Sequence, residues 1–284
     1  MSGSALLSAR GLTKRFGGLV AVDGLDFDVT QGEILGLIGP NGAGKTTTFN
    51  LIAGALAPTA GTIELSGEQI QGSKPHVVAS KGILRTFQHN MPFAGMSLLE
   101  NVMVGRHSNF AANGAGIGGI VMGSTKSRVT ESIARIQATD LIEFVGLKDL
   151  LHTPVTALSF GQGRLLEIAR ALCGGPKLML FDEPAAGLTP AEAIRLSEMI
   201  RQIARGDVPI PGFDEGIAVL LIEHDMRFLL PLAHRVVVLN FGRKIADGTP
   251  DCIRDDPAVI EAYLGDTAGL APKADGSRPE TTRA

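Results

Sequence analysis

No stretch of this chain approaches the roughly 18 consecutive apolar residues needed to cross a bilayer. The most membrane-like segment, residues 110–123, is glycine-rich and interrupted by Asn113, and it reads as a loop. Any membrane role must therefore run through partners. The first residues, MSGSALLSARGL, lack the basic start and long apolar core of a secretory signal. Cysteine is scarce: Cys173 and Cys252 have neither metal-ligand spacing nor the density of a disulfide scaffold, which fits a reducing compartment. Basic excess is missing too, because 26 Lys and Arg stand against 29 Asp and Glu for a net charge of -3. No global nucleic-acid footprint is visible.

What is present fits a globular protein: 284 residues, 44% hydrophobic and 19% charged, enough for one α/β core with a smaller lobe. The strongest local signal is GPNGAGKTTT at 39–48. It follows the apolar run Ile34, Leu35, Gly36, Leu37, Ile38 and opens a helical pattern over 46–56. Gly39, Gly44, Lys45 and Thr46 satisfy GxxxxGK[ST], in which backbone N–H groups surround phosphate oxygens, the lysine reaches the outer phosphates and the hydroxyl ligates Mg²⁺. Gly42 adds freedom where the backbone must approach a ligand. The first helical turn contributes unpaired N–H groups and the positive end of its dipole. The motif reads as a nucleoside triphosphate site.

Upstream, residues 6–12 and 25–29 alternate weakly about Gly17 and Gly18 and predict two antiparallel strands, with a further strand at 62–66. Phe16, between the first two, reads equally as a base-stacking ring or as core. Residues 83–88, ILRTFQ, predict a strand ending in Gln88, a polar side chain that needs a partner if buried. Ser97 and Glu100 make an N-cap pair for a helix through Val104. A Gly/Ala/Ser segment at 109–125 has no periodicity and reads as a surface loop. Val129, Ile133, Ile136, Leu141, Phe144 and Val145 recur at helical spacing as far as Gly146.

SFGQ at 159–162 immediately precedes an amphipathic helix carrying Leu165, Leu166, Ile168, Ala169 and Leu172. It reads either as a helix cap or as a second anion site. LMLF at 178–181 is the continuous apolar run of a strand buried on both faces, and it ends in Asp182 and Glu183. Two carboxylates there need a cation or water. Near a phosphate loop they read as Asp182 on Mg²⁺ and Glu183 orienting or deprotonating the attacking water. Residues 190–203 are helical, 206–216 form a surface excursion, and the apolar strand 217–222 ends in Glu223, His224, Asp225. His224 is structural or, from that strand end, reaches a γ-phosphate. A strand at 236–239, a short helix around Val259 to Leu264 and a polar, disordered tail at 266–284 complete the chain.

In order and spacing these pieces resemble an ABC transporter nucleotide-binding subunit over residues 6–265. GPNGAGKTT is similar to its Walker A, LMLFDEP to its Walker B with the adjacent glutamate and LSFGQ to its signature, while Gln88 matches the Q-loop, Ala186 to Leu188 the D-loop region and His224 the H-switch. RFGGLVAV, RTFQHNMPF, DEPAAGL, LLIEHDM, GTP and VIEAYLG look most like LivG-type subunits of branched-chain amino acid importers. The resemblance implies an α/β P-loop NTPase (ABC ATPase) core, an antiparallel β subdomain and a smaller α-helical subdomain at about 90–175. It also implies a head-to-tail pair of ATP-binding subunits, the second being LivF-like or a copy of this chain. Gly39, Pro40, Asn41, Gly42, Ala43, Gly44, Lys45, Thr46 and Thr47 of one then face Ser159, Gly161 and Gln162 of the other across ATP. In that reading Phe16 stacks on adenine, Thr46, Gln88 and Asp182 serve Mg²⁺, Glu183 is the general base, and His224 contacts the γ-phosphate. Gln88 also senses water and the membrane domain.

The implied partners are two integral membrane permease subunits and, indirectly, a substrate-binding protein, with this chain peripheral on the cytoplasmic side of the inner membrane. No nucleic acid is expected. The competing class is a soluble ABC ATPase acting on nucleic acid or ribosomes, but the chain has no long coiled-coil insertion, second cassette or basic stripe. A GTPase would need an NKxD motif, which is absent, and a small-molecule kinase gives no reason for SFGQ before a helix. Phe160 stands where the commonest signature has Gly, as fits the LivG-like branch, whereas DEPAAGLTP lacks the usual D-loop aspartate. The excursion at 206–216 and the tail are longer than the family minimum.

Overall fold

A computed structural model describes residues 5–86, 92–106 and 125–268. Strands β1 (Ala5–Phe16) and β2 (Leu19–Thr30) form a hairpin about Gly17 and Gly18, longer than the alternation predicts. β4 (Ala60–Leu65) pairs with β1 and the two-residue β5 (Glu68–Gln69) with β4, giving an antiparallel sheet of order β2-β1-β4-β5. The second sheet has the order β10-β9-β3-β8-β7-β6 and contains β3 (Ile34–Ile38), β6 (Ile83–Thr86), β7 (Leu178–Asp182), β8 (Ala218–Ile222), β9 (Arg235–Asn240) and β10 (Arg243–Gly248). All its pairings are parallel except that of β10, an edge strand hairpinned onto β9.

Every residue of β3, β7 and β8 is buried, as their unbroken apolar runs require of strands covered on both faces. Alternate side chains enter different cores. Leu35, Leu37, Leu180, Leu220 and Val237 pack towards the antiparallel sheet and α1 (Lys45–Ile52), where Phe49 is fully buried. Ile34, Ile38, Phe181, Leu221 and Val238 pack towards a helical layer that includes α3 (Leu98–Val104), α4 (Thr125–Phe144), α5 (Phe160–Cys173) and α6 (Pro190–Arg205). Shorter helices are α2 (Pro75–Ser80), α7 (Met226–Leu229), α8 (Pro250–Arg254) and α9 (Pro257–Ala268). The architecture is the α/β one that the sequence implied, with helices α3, α4 and α5 packed on one another.

Several local expectations change. The helix expected over 46–56 stops at Ile52, because Gly54 turns into the left-handed region at φ +73°, where an added Cβ would lie 2.5 Å from the Ser73 carbonyl oxygen. In α4, Ile133 and Ile136 are 44% and 61% exposed, and the buried stripe is Ala134, Ala138, Leu141 and Ile142. Alanines there bring α4 close to its neighbours, and the isoleucines at helical spacing fall outside that contact. The excursion at 206–216 lies largely at the surface, as expected, but is pinned there: Val208 and Phe213 are buried, and the Gln31 amide donates to the Gly216 carbonyl. Helix α9 runs through residues 266–268, where a tail was expected, and residues 269–284 lie outside the described ones. So do Gln88 and the Gly/Ala/Ser segment at 109–124. Strand β10 and the short β5, α2, α7 and α8 went unanticipated, each being brief or, for β10, largely exposed and without an apolar run.

Phe49 ties α1 to the strands beneath it, with none of its surface in contact with solvent. Phe49→Ala should lower unfolding stability by about 3–5 kcal/mol in urea titrations; a loss under about 1 kcal/mol would contradict this packing.

Candidate nucleotide site

The loop between β3 and α1 is shaped by backbone contacts that only glycine permits. At Gly39, with φ +151°, an added Cβ would lie 2.1 Å from the Leu239 carbonyl oxygen of β9; at Gly44, with φ +101°, it would lie 2.4 Å from that of Ala21 in β2. Gly42, at φ +78°, has open space where its Cβ would be. Ala43 is buried and its carbonyl accepts the Gly242 N–H from the β9–β10 turn, while Pro40 and Asn41 lie at the surface side of the loop. Gly44 is the N-cap of α1 and no side chain caps the helix. A helix start without a protein cap is what an anion ligand would complete. Lys45 curls back over the loop, its Nζ donating to the carbonyls of Gly39 at 2.6 Å and Pro40 at 2.9 Å. Thr46 is exposed and Thr47 half-buried at the helix start.

Tyr263 of α9 brings its hydroxyl beside the Gly39 N–H without completing a hydrogen bond. Burial pushes its phenol up to about 12, the Gly39 N–H acting in the opposite direction.

Strands β7 and β8 end side by side, with Asp182 in register with Ile222, so the polar residues following each strand meet at one edge. Asp182 is 1% exposed; its Oδ2 takes a 2.6 Å ion pair from Arg85 Nη2, and its Oδ1 has no hydrogen-bond partner. Arg85 also donates from Nη1 to Asn50 Oδ1 of α1 at 2.7 Å. Glu183 adopts φ +48°, a left-handed conformation that a side chain resists. Its N–H donates to the Ile222 carbonyl, and such strain costs about 1–3 kcal/mol and concentrates at functional sites. The largely exposed His224 places Nδ1 3.9 Å from Glu183 Oε1 and 3.8 Å from Glu223 Oε2. Glu223 is buried; burial raises its carboxyl pKa, opposed by hydrogen bonds that include the Ala185 N–H at 3.0 Å on Oε1.

The sequence left Phe16 between core and stacking; the ring is 46% exposed, with the Lys14 ammonium 5.1 Å from its centroid, so it is not core. SFGQ is a helix cap here: the Ser159 hydroxyl accepts the Gln162 N–H and the Gln162 amide oxygen accepts the Ser159 N–H. Gly161 lies where α5 meets α6, and a Cβ there would come within 2.6 Å of Glu192 Oε1, the end of a side chain that can shift. The exposed Phe160 ring rests against Gly187 and 5.4 Å from the Arg164 guanidinium.

Among the described residues no three His, Cys, Asp or Glu side chains gather to hold a metal ion. The available donors suit Mg²⁺, which takes one or two carboxylates together with substrate phosphates. Asp182 offers an unpartnered buried oxygen and Thr46 a hydroxyl at the start of α1. The residues that sequence reasoning passed over are Arg85, Asn50, Glu223 and Tyr263. An arginine inside the apolar strand ILRT was the available signal for the first, and an acid beside His224 at a buried strand end for Glu223.

The loop, the strand-end carboxylates and the sheet order define a P-loop ATPase cassette. A family model described as ABC transporter matches residues 22–186, and one described as branched-chain amino acid ATP-binding cassette transporter matches 243–269. The chain is 41% identical over 264 residues to the high-affinity branched-chain amino acid transport ATP-binding protein BraF of Pseudomonas aeruginosa, covering 92% of this chain and 98% of that protein. To the corresponding LivG of Escherichia coli it is 39% identical with the same coverage. Among solved structures it is similar to a nucleotide-free ATP-binding cassette from an ABC transporter, with a TM-score of 0.75 and 29% identity over 91% of this chain and 98% of that one. It is also similar to the ADP conformation of the cassette MJ1267, with a TM-score of 0.74 and 29% identity over 92% and 99%. The chain therefore belongs to the ABC transporter family, in its LivG-type branched-chain amino acid ATP-binding branch. Cassettes of this family bind ATP and ADP. None of the helices described is long and apolar enough to cross a membrane.

Gly44→Ala should reduce ATP affinity at least about tenfold, because the left-handed backbone and the Ala21 carbonyl both oppose a Cβ. Titration with a fluorescent ATP analogue checks this; unchanged affinity in folded protein would contradict the loop geometry.

Proposed function

We propose that this chain hydrolyses ATP to drive uptake of branched-chain or related amino acids through a membrane importer; its relatives BraF and LivG are named high-affinity branched-chain amino acid transport ATP-binding proteins. The observation that carries the reading is the meeting of an uncapped α1 start with Asp182, Glu183 and His224 at the ends of β3, β7 and β8. Ligands of open α/β sheets bind outside the carboxyl ends of the strands, which is where these groups lie.

In this reading the loop N–H groups from Gly39 to Thr47, Pro40 having none, and the Lys45 ammonium hold the β- and γ-phosphates, and adenine stacks on Phe16. Thr46 and Asp182, with Gln88 from outside the described residues, would hold Mg²⁺, which would supply neutralisation of phosphate charge. Glu183 accepts a proton from the attacking water as its oxygen bonds to the γ-phosphorus and the bond to ADP breaks. His224, 3.9 Å from that carboxylate, steadies the γ-phosphate end. Ser159, Gly161 and Gln162 act on the ATP of a second cassette subunit, LivF-like or a copy of this chain. Contacts made only across that pair favour the closed state, so ATP closes the dimer and hydrolysis opens it.

The partners are two integral membrane permease subunits, with a substrate-binding protein delivering the amino acid. The cassette spans 6–265, with the helical lobe near 90–175, and sits on the cytoplasmic face of the inner membrane. The net charge of -3 gives the soluble nucleic-acid reading no support. Selectivity belongs to the membrane and binding proteins, since this chain's chemistry is directed at ATP.

Two experiments test the reading. Purification of tagged protein from native membranes in mild detergent should bring down two multi-span proteins and a second cassette subunit; recovery only from the soluble fraction, alone or with nucleic acid, would sink the transport reading. Glu183→Gln should bind ATP, hydrolyse it about 10²- to 10⁴-fold more slowly and accumulate as a closed dimer. Unchanged turnover would remove Glu183 as the base.

A further inference from the structure

Asp182 raises a question of charge that ATP chemistry alone does not answer. The carboxylate is 1% exposed at the end of a buried strand, and a bare charge there is strongly disfavoured whenever no metal is bound. The group that meets it is the guanidinium of Arg85. β6 lies parallel to β7 with Arg85 in register with Leu180, two residues before Asp182. Side chains at those two β7 positions share a face, so Arg85 needs only to lean forward along the strand to reach the carboxylate. The fork of the guanidinium then divides its work: Nη2 takes Asp182 Oδ2 at 2.6 Å and Nη1 takes Asn50 Oδ1 at 2.7 Å. A lysine could not make both contacts with fixed geometry.

We propose that Arg85 is the standing counter-cation of the metal-ligand carboxylate and a positioning residue for it. It holds Oδ2 and leaves Oδ1, buried and without a partner, as the oxygen open to a divalent cation. Through Asn50 the same guanidinium fixes that carboxylate relative to α1, whose first turn presents Lys45 and Thr46. The buried carboxylate thus has a cation partner and a fixed aim both before Mg²⁺ and nucleotide arrive and after they leave. The inference rests on Asp182 as the metal ligand of the proposed function.

The test compares wild type, Arg85→Met, Asp182→Asn and the double variant. Two quantities are read: the unfolding midpoint without nucleotide, and the ratio of the Kd for a fluorescent ATP analogue in EDTA to that in Mg²⁺. Arg85→Met leaves a buried carboxylate without its cation, so the midpoint should fall by roughly 5–15 °C. The double variant, with a neutral amide in place of the carboxylate, should regain most of that loss. The EDTA-to-Mg²⁺ ratio should fall about tenfold in Arg85→Met, because the carboxylate loses the cation that holds Oδ2 and aims Oδ1 at the metal, the scale of one neighbouring cation's effect on a carboxylate. A double variant no more stable than Arg85→Met, or a ratio within twofold of wild type, would overturn the inference. Should Arg85→Met yield no folded protein, the double variant decides: folding supports the inference and failure to fold overturns it. Asp182→Asn alone separates the two readings, because a ratio unchanged from wild type there removes Asp182 as metal ligand whatever Arg85 does.

Discussion

Helix α1 begins without a side-chain cap at the end of the central strand, and the surrounding structure serves to hold that start in place. Gly39 presses on a β9 carbonyl and Gly44 on a β2 carbonyl, so the loop is gripped by both sheets at once. The β9–β10 turn ties the same place together: the Gly242 N–H bonds the Ala43 carbonyl, and the Asp23 N–H bonds the Gly242 carbonyl. Even the C-terminal segment that matches the branched-chain family model reaches the loop, through Tyr263 beside Gly39. A set of N–H groups aimed by so many rigid neighbours needs little reorganisation when an anion arrives, which is the physical content of a preformed phosphate site.

Around that anion site the chain keeps groups that are unfavourable in isolation. Asp182 is buried and held by an arginine, Glu223 is buried with its carboxyl pKa raised, and Glu183 sits in a strained backbone conformation beside a histidine. These three terminate or follow adjacent strands whose apolar residues belong to two separate cores. The strands therefore supply the rigidity and the residues just beyond them the chemistry. The proposed trans contact adds the missing half: in this structure the Ser159 hydroxyl and the Gln162 amide oxygen are held in a helix cap, so any partner's phosphate would meet a turn that is already ordered.

Much of this was legible in the sequence. Continuous apolar runs gave β3, β7 and β8, Ser97 with Glu100 gave the capping box of α3, and the resemblance of its motifs to known cassettes pointed to the family. Other features were not legible, for specific physical reasons. The buried stripe of α4 is built on alanines, whose value lies in close helix approach rather than hydrophobicity, and the isoleucines misled the periodicity. β10 is an edge strand with little buried surface and no pattern to read. Arg85 and Glu223 act through partners 97 and 38 residues away along the chain, so only the register of β6 on β7 and the approach of Ala185 to β8 reveal them.

The central claim is that one chain supplies the phosphate loop of its own ATP and the SFGQ turn of its partner's. Amide hydrogen exchange reads both at once in slowly hydrolysing Glu183→Gln protein with Mg²⁺ and ATP. The account predicts protection of residues 39–48 in the isolated subunit, with protection of residues 159–164 only when a second cassette subunit is present. Equal protection of both segments in a monomer would contradict it, because the two half-sites would then belong to one chain.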